Sequence, residues 1–153
     1  MVGSELYVAL IVGVLISLVY VEKTGLLPAG LIVPGYLALV LIEFRLLAVI
    51  FAVAGITYLF VTQVLARFIV IYGRRRFAAM LTVGILLKLV ADAVFPIVPF
   101  EALELRGLGV IVPGIIANAF HRQGVLPTVI TTLLLSAATF IVVFGYVYLA
   151  GRL

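Results

Sequence analysis

The sequence predicts an all-α integral membrane protein built from two tandem three-segment repeats, and three observations carry that prediction. Of 153 residues, 67% are hydrophobic and only 10% charged, with a mean hydropathy of +1.45. A soluble domain carries about a quarter charged residues, whereas a bilayer is itself the apolar solvent such a chain needs. The apolar residues gather into runs without the alternation of a membrane β-barrel, so helical spans are expected. Finally, a motif containing both helix breakers, proline and glycine, occurs twice.

The first segment is the uncharged run Leu6 to Val21, closed by Glu22 and Lys23. The N-terminus lacks the positive region and cleavage site of a signal peptide, so this segment is expected to be retained. Next comes Leu26 to Ile42, uncharged but interrupted by Pro28, Gly30, Pro34 and Gly35. Leu46 to Ala66 is long enough to span at about 1.5 Å per residue. The fourth run starts at Phe77, after Arg74-Arg75-Arg76, and carries Lys88 and Asp92. A stretch rich in proline and acid, Phe95 to Arg106, precedes the fifth, Gly107 to Phe120. The last run, Gly124 to Gly151, is uncharged.

The second and fifth segments share the pattern G-x-I-V-P-G-x-x-A: Gly30 to Ala38 and Gly109 to Ala117, with Pro34 and Pro113 79 residues apart. The same offset sets Glu22 on Glu101 and sets Lys88 and Asp92 on Ala9 and Gly13. The expected organisation is one structural domain made of a first membrane repeat, 1–74, and a second, 75–153. If every segment crosses, the repeats are inverted. With the arginine cluster cytoplasmic, six basic residues (Lys23, Arg67, Arg74, Arg75, Arg76, Arg122) then lie inside against three outside (Arg45, Arg106, Arg152). Re-entrant second and fifth segments would give five against four. The positive-inside rule favours six spans with both termini outside.

Each motif, Gly30, Pro34, Gly35 and Gly109, Pro113, Gly114, is expected to break its helix. Freed backbone groups must face protein or a watery cavity, as in transporters with interrupted helices in related halves. The other reading is a kink or a close helix crossing. Lys88 and Asp92 share a helix face; they form either a self-neutralised structural pair or a proton or substrate site. Arg74, Arg75 and Arg76 set topology and touch anionic lipid, or they receive an acidic partner or polyanion. Arg106 and Arg122 bracket the second motif, with Asn118 inside; they either snorkel to the interface or bind a carboxylate. Glu22 and Glu101 are a matched pair for acid–base work or ordinary caps and ion-pair partners. Thr131, Thr132, Ser136 and Thr139 recur at helical spacing and are expected to bond across helices.

Whole classes of chemistry are excluded. The chain has no cysteine, so thiol and disulfide chemistry are out, and its single histidine, His121, has no companions for a metal site. There is no phosphate-binding G-x-x-x-x-G-K-[ST] loop and no G-x-S-x-G elbow. The net charge of +4 sits between apolar runs, so it speaks for membrane orientation and not for nucleic acid.

Three runs resemble signatures of the PgsC/CapC family of poly-γ-glutamate and capsule synthesis proteins. They are Glu22 to Gly30 continuing through Val33-Pro34-Gly35-Tyr36; Tyr72 to Leu81; and Phe100-Glu101 with Arg106 to Gly114, Ile116-Ala117-Asn118 and Arg122-Gln123-Gly124. Thr131-Thr132 and Ser136 to Phe140 follow in place, so the resemblance covers nearly the whole chain. It implies a multi-pass subunit in the bacterial plasma membrane, non-catalytic by itself. The implied partners are a PgsB/CapB-type ATP-dependent amide ligase, a PgsA/CapA-type extracytoplasmic subunit, and the anionic polymer itself, with homo-oligomerisation expected. No cofactor is expected in this chain; ATP and a divalent metal would belong to the ligase. The resemblance carries over no catalytic residues. A scaffold that recruits the ligase without passing polymer, and an independent small-solute transporter, are the alternatives.

Overall fold

A computed structural model describes residues 2–26, 28–70, 72–94 and 103–151, and the side chains of 7–26, 28–70, 72–94 and 110–151. Among these residues every regular element is helical. The helices are α1 (Val2–Thr24), α2 (Val33–Val40), α3 (Phe44–Phe68, with a π-helical stretch at Phe60–Leu65), α4 (Arg74–Val94), α5 (Leu103–Gln123) and α6 (Val125–Ala150). By length and composition four of them can cross a membrane: α1 over Tyr7–Thr24, and α3, α4 and α6. Their outward residues are large and apolar (Ile11, Leu15, Leu134, Ile141, Phe144), as expected where lipid is the solvent. The stretch 95–102, with Pro96, Pro99 and Glu101, and the side chains of Arg106 and Arg152 lie outside the described residues.

The first motif starts a helix instead of breaking one. α1 ends against Gly25 in the left-handed region (φ 71°), whose N–H reaches Val21 O at 2.8 Å. Residues 28–32 are not helical, and Gly30 has φ 142°, a conformation that suits glycine. Pro34 then lies in the first turn of α2, where the missing N–H costs nothing. The second motif corrects the expectation of a broken helix. α5 runs on through Pro113. The difference comes from the residues before the motif: Pro28 opposes helix upstream of Pro34, whereas 103–112 contains no proline and Gly109, the counterpart of Gly30, lies inside α5. A helix in lipid has no other partner for its remaining N–H groups, so it continues and forfeits one bond.

The helices gather into two compact units, residues 1–44 with 126–153, and residues 45–125. The first holds α1, α2 and α6; the second holds α3, α4 and α5. Each unit thus takes one of its three helices from the other half of the sequence.

Within the first unit α1 and α2 touch backbone to backbone. A Cβ on Gly13 would stand 2.5 Å from Gly35 Cα, and one on Gly35 would stand 2.7 Å from Ala9 O. Within the second unit α4 and α5 do the same: a Cβ on Gly84 would stand 2.8 Å from Gly114 Cα. Gly35 and Gly114 are 79 apart, but Gly13 and Gly84 are 71 apart (84 − 13). The packing counterparts of Lys88 and Asp92 are therefore Ser17 and Val21, not Ala9 and Gly13. The extra residues lie at the start of α5, which begins 11 residues before Gly114, whereas α2 begins two before Gly35.

The polar stripe of α6 also departs from expectation. Thr131, Ser136 and Thr139 return their hydroxyls to carbonyls of their own helix at 2.6–2.8 Å. Thr132 bonds across, its Oγ1 accepting from the N–H of Ala29 at 3.2 Å. That contact fixes the non-helical entry to α2 onto α6.

A cavity lined by arginines

The candidate site is in the second unit, where the start of α4 meets the end of α5. Gly73, Arg74, Arg76 and Phe77 from one element and Asn118, His121 and Arg122 from the other line a cavity of about 410 Å³. Gly73 has φ 58° and turns the chain into α4. Asn118, His121 and Arg122 stand three and four residues apart and so share one face of α5. α5 then ends at Gly124 (φ 95°), which bonds Phe120 O at 3.0 Å. Tyr58 of α3 backs this end, its ring edge-on to Phe120 at 6.2 Å and tilted against His121 at 6.4 Å.

The electrostatics are asymmetric. His121 and Arg122 occupy the last turn of α5, where the helix dipole favours cations. Arg74, Arg75 and Arg76 occupy the first turn of α4, where the dipole opposes them. Partial burial, and secondarily Arg76, lower the His121 imidazole from its ordinary 6.5. It therefore stands neutral among the arginines at pH 7.

Of the sequence candidates, Arg74, Arg76, Asn118 and Arg122 come together. Arg75 is exposed and does not line the cavity. Lys88 and Asp92 pair with each other, about 20 Å along α4 at about 1.5 Å per residue. Lys88 is 2% exposed and continues the buried stripe of Met80 and Gly84. Glu22 is exposed at the end of α1, and its matched Glu101 lies outside the described residues. Gly30, Pro34 and Gly35 belong to the first unit, Gly109, Pro113 and Gly114 to the second.

Sequence reasoning missed three features. His121 and Phe77 line the cavity; the spacing of His121 from Asn118 was the available signal. Ser17 is wholly buried with no hydrogen-bond partner for its hydroxyl. Among the described residues no group of three His, Cys, Asp or Glu could hold a metal ion.

The family model of capsule biosynthesis CapC proteins matches residues 12–129. The chain belongs to the CapC capsule biosynthesis family. It is 53% identical over 146 residues to the "PGA biosynthesis protein CapC" of Bacillus subtilis (strain 168), covering 95% of this chain and 98% of that one. It is 54% identical over 140 residues to the "Capsule biosynthesis protein CapC" of Bacillus anthracis, covering 92% and 94%. No solved structure matches it. The family extends from the middle of α1 into the start of α6, so both glycine crossings and the arginine cavity lie inside it.

Proposed function

We propose that this chain is the membrane subunit of a poly-γ-glutamate synthetase and export complex in the bacterial plasma membrane. In this reading it anchors an ATP-dependent amide ligase and helps carry the anionic polymer across. The ligase supplies the nucleotide and metal chemistry, and an extracytoplasmic subunit completes the assembly. The observation that carries the reading is the end-to-end similarity to a protein named for PGA biosynthesis. The four apolar helices and the arginine cavity fit a membrane subunit that handles a polyanion.

The fold proposed with it is a pair of inverted three-segment repeats with six crossings. Its support is the repeated crossing, Gly13 on Gly35 and Gly84 on Gly114, and the matched buried stripes Ala9–Gly13–Ser17 and Met80–Gly84–Lys88. α2 alone is about 12 Å long, but the non-helical residues before it lengthen its path. A scaffold that recruits the ligase without passing polymer is the second reading, favoured by Arg75, which is exposed beside the cavity and not part of it.

Sealed vesicles carrying the ligase, with and without this chain, test both. Polymer made and delivered to the other side only with the chain supports the export reading. Polymer made only with the chain but never translocated favours the scaffold. Synthesis and translocation that ignore the chain reject both.

A further inference from the structure

Arg74, Arg76 and Arg122 converge on one cavity, and no Asp or Glu is among the described residues that line it. Like charges on one concave wall raise the local potential. Two of the three cations also stand in the first turn of α4, whose open N–H groups already favour anions. Helix stability alone would put arginines at the opposite end. The placement helps a ligand that brings negative charge.

The remaining wall narrows the ligand class. Guanidinium forks bind carboxylates through two parallel hydrogen bonds. Asn118 offers an amide that both donates and accepts, as the peptide-like links of a polyamide require. Phe77, 42% exposed, presents an apolar face on which methylenes can lie. The volume of about 410 Å³ is that of a small-ligand site, not of a single ion.

We propose that this cavity binds the free carboxylates of a glutamyl chain, more than one at a time, as a waypoint for the polymer. The proposal rests on the reading of the chain as a subunit of poly-γ-glutamate machinery, which makes a polycarboxylate the anion at hand.

The test uses the full-length chain in nanodiscs of zwitterionic lipid and a short, end-labelled poly-γ-glutamate oligomer. Saturable, salt-sensitive binding is expected. Arg76→Gln and Arg122→Gln should each weaken it about tenfold, the worth of a charge-assisted hydrogen bond. Arg76→Lys, which keeps the charge and loses the fork, should fall between. Arg45→Gln, which removes the same charge outside the cavity, should stay within about twofold because distant exposed charges are screened. Helicity and elution volume show that each variant is folded.

Undiminished binding by both glutamine variants overturns the proposal, and so does equal binding of uncharged poly-γ-glutamine. Binding of inorganic phosphate or phosphatidylglycerol discs through these arginines, with none of the oligomer, overturns it in favour of a lipid-headgroup site. If the oligomer does not bind while vesicle synthesis still requires the chain, the site falls and the complex reading stands. If it binds while synthesis ignores the chain, the complex reading falls.

Discussion

Lys88 carries a charge into a position 2% exposed, and Asp92 one turn away makes that tolerable. Removing one member of a buried pair leaves the other uncompensated, at a cost of about 3–5 kcal/mol. Lys88→Met should therefore lower stability by that order in a denaturant titration of the solubilised protein. Lys88→Met with Asp92→Leu should recover most of it. Recovery of stability without recovery of polymer export would show that the pair does more than neutralise itself. His121 gives a second prediction at this scale. Its imidazole is held below the ordinary 6.5, so it is neutral at pH 7 and adds a cation to the cavity only in acid. Oligomer binding should change little between pH 8 and 7 and strengthen as the pH falls into the acid range. Glutamyl carboxylates stay charged to about pH 4.3, which leaves the window open, and His121→Gln should abolish the rise. The Lys88–Asp92 pairing was legible because four residues on one helix fix a face. The cavity was legible only in halves. Nothing in the spacing of Arg74 and Arg76, or of Asn118 and Arg122, says that the start of α4 meets the end of α5.

At the scale of the element, one motif gives two structures. Pro34 begins α2, and Pro113 sits inside α5. Proline in a first turn displaces no hydrogen bond, whereas proline in a helix interior costs about 3 kcal/mol. Pro34→Ala should leave stability nearly unchanged, and Pro113→Ala should raise it by up to about 3 kcal/mol, read from thermal unfolding in detergent. A Pro113→Ala protein that is more stable but exports less would show that the weakened turn is retained for function. The motif could be read as a repeat because its breakers are conspicuous. Its structure could not, because the outcome is set by the residues before it: Pro28 in one copy, a proline-free stretch in the other. The glycines show the same limit. Sequence leaves Gly35 and Gly114 open as helix breakers or close-crossing sites, and the structure uses them for close crossing with Gly13 and Gly84.

The whole molecule joins what the sequence separates. The seam between the sequence halves falls at 74 and 75, yet α6 belongs with α1 and α2, and α3 with α4 and α5. Long-range pairing of this kind leaves no periodic trace, so composition and repeats could give the all-helical class but not the partners. The consequence is mechanical. A fragment ending at residue 74 keeps α1, α2 and α3 but loses the helix that covers α2, together with the bond from Ala29 N–H to Thr132. The side of α2 that meets α6, at Ala38 and Leu39, is then open, and the N–H of Ala29 has no partner, which in an apolar surrounding costs several kcal/mol. The complementary fragment loses α3 and bares Met80 and Ala117, which pack with Val61. Each fragment expressed alone should therefore be degraded or aggregate. The two co-expressed should assemble, because each supplies the helix the other lacks. The cysteine-free background makes the pairing directly readable. Cysteines in place of Ala29 in the first fragment and Thr132 in the second should cross-link in the membrane with a short bifunctional thiol reagent, joining the fragments into a species of full-length mass. Fragments that are each stable alone and never cross-link would mean that each half keeps its own third helix, and the exchange of helices between the two units would then be wrong.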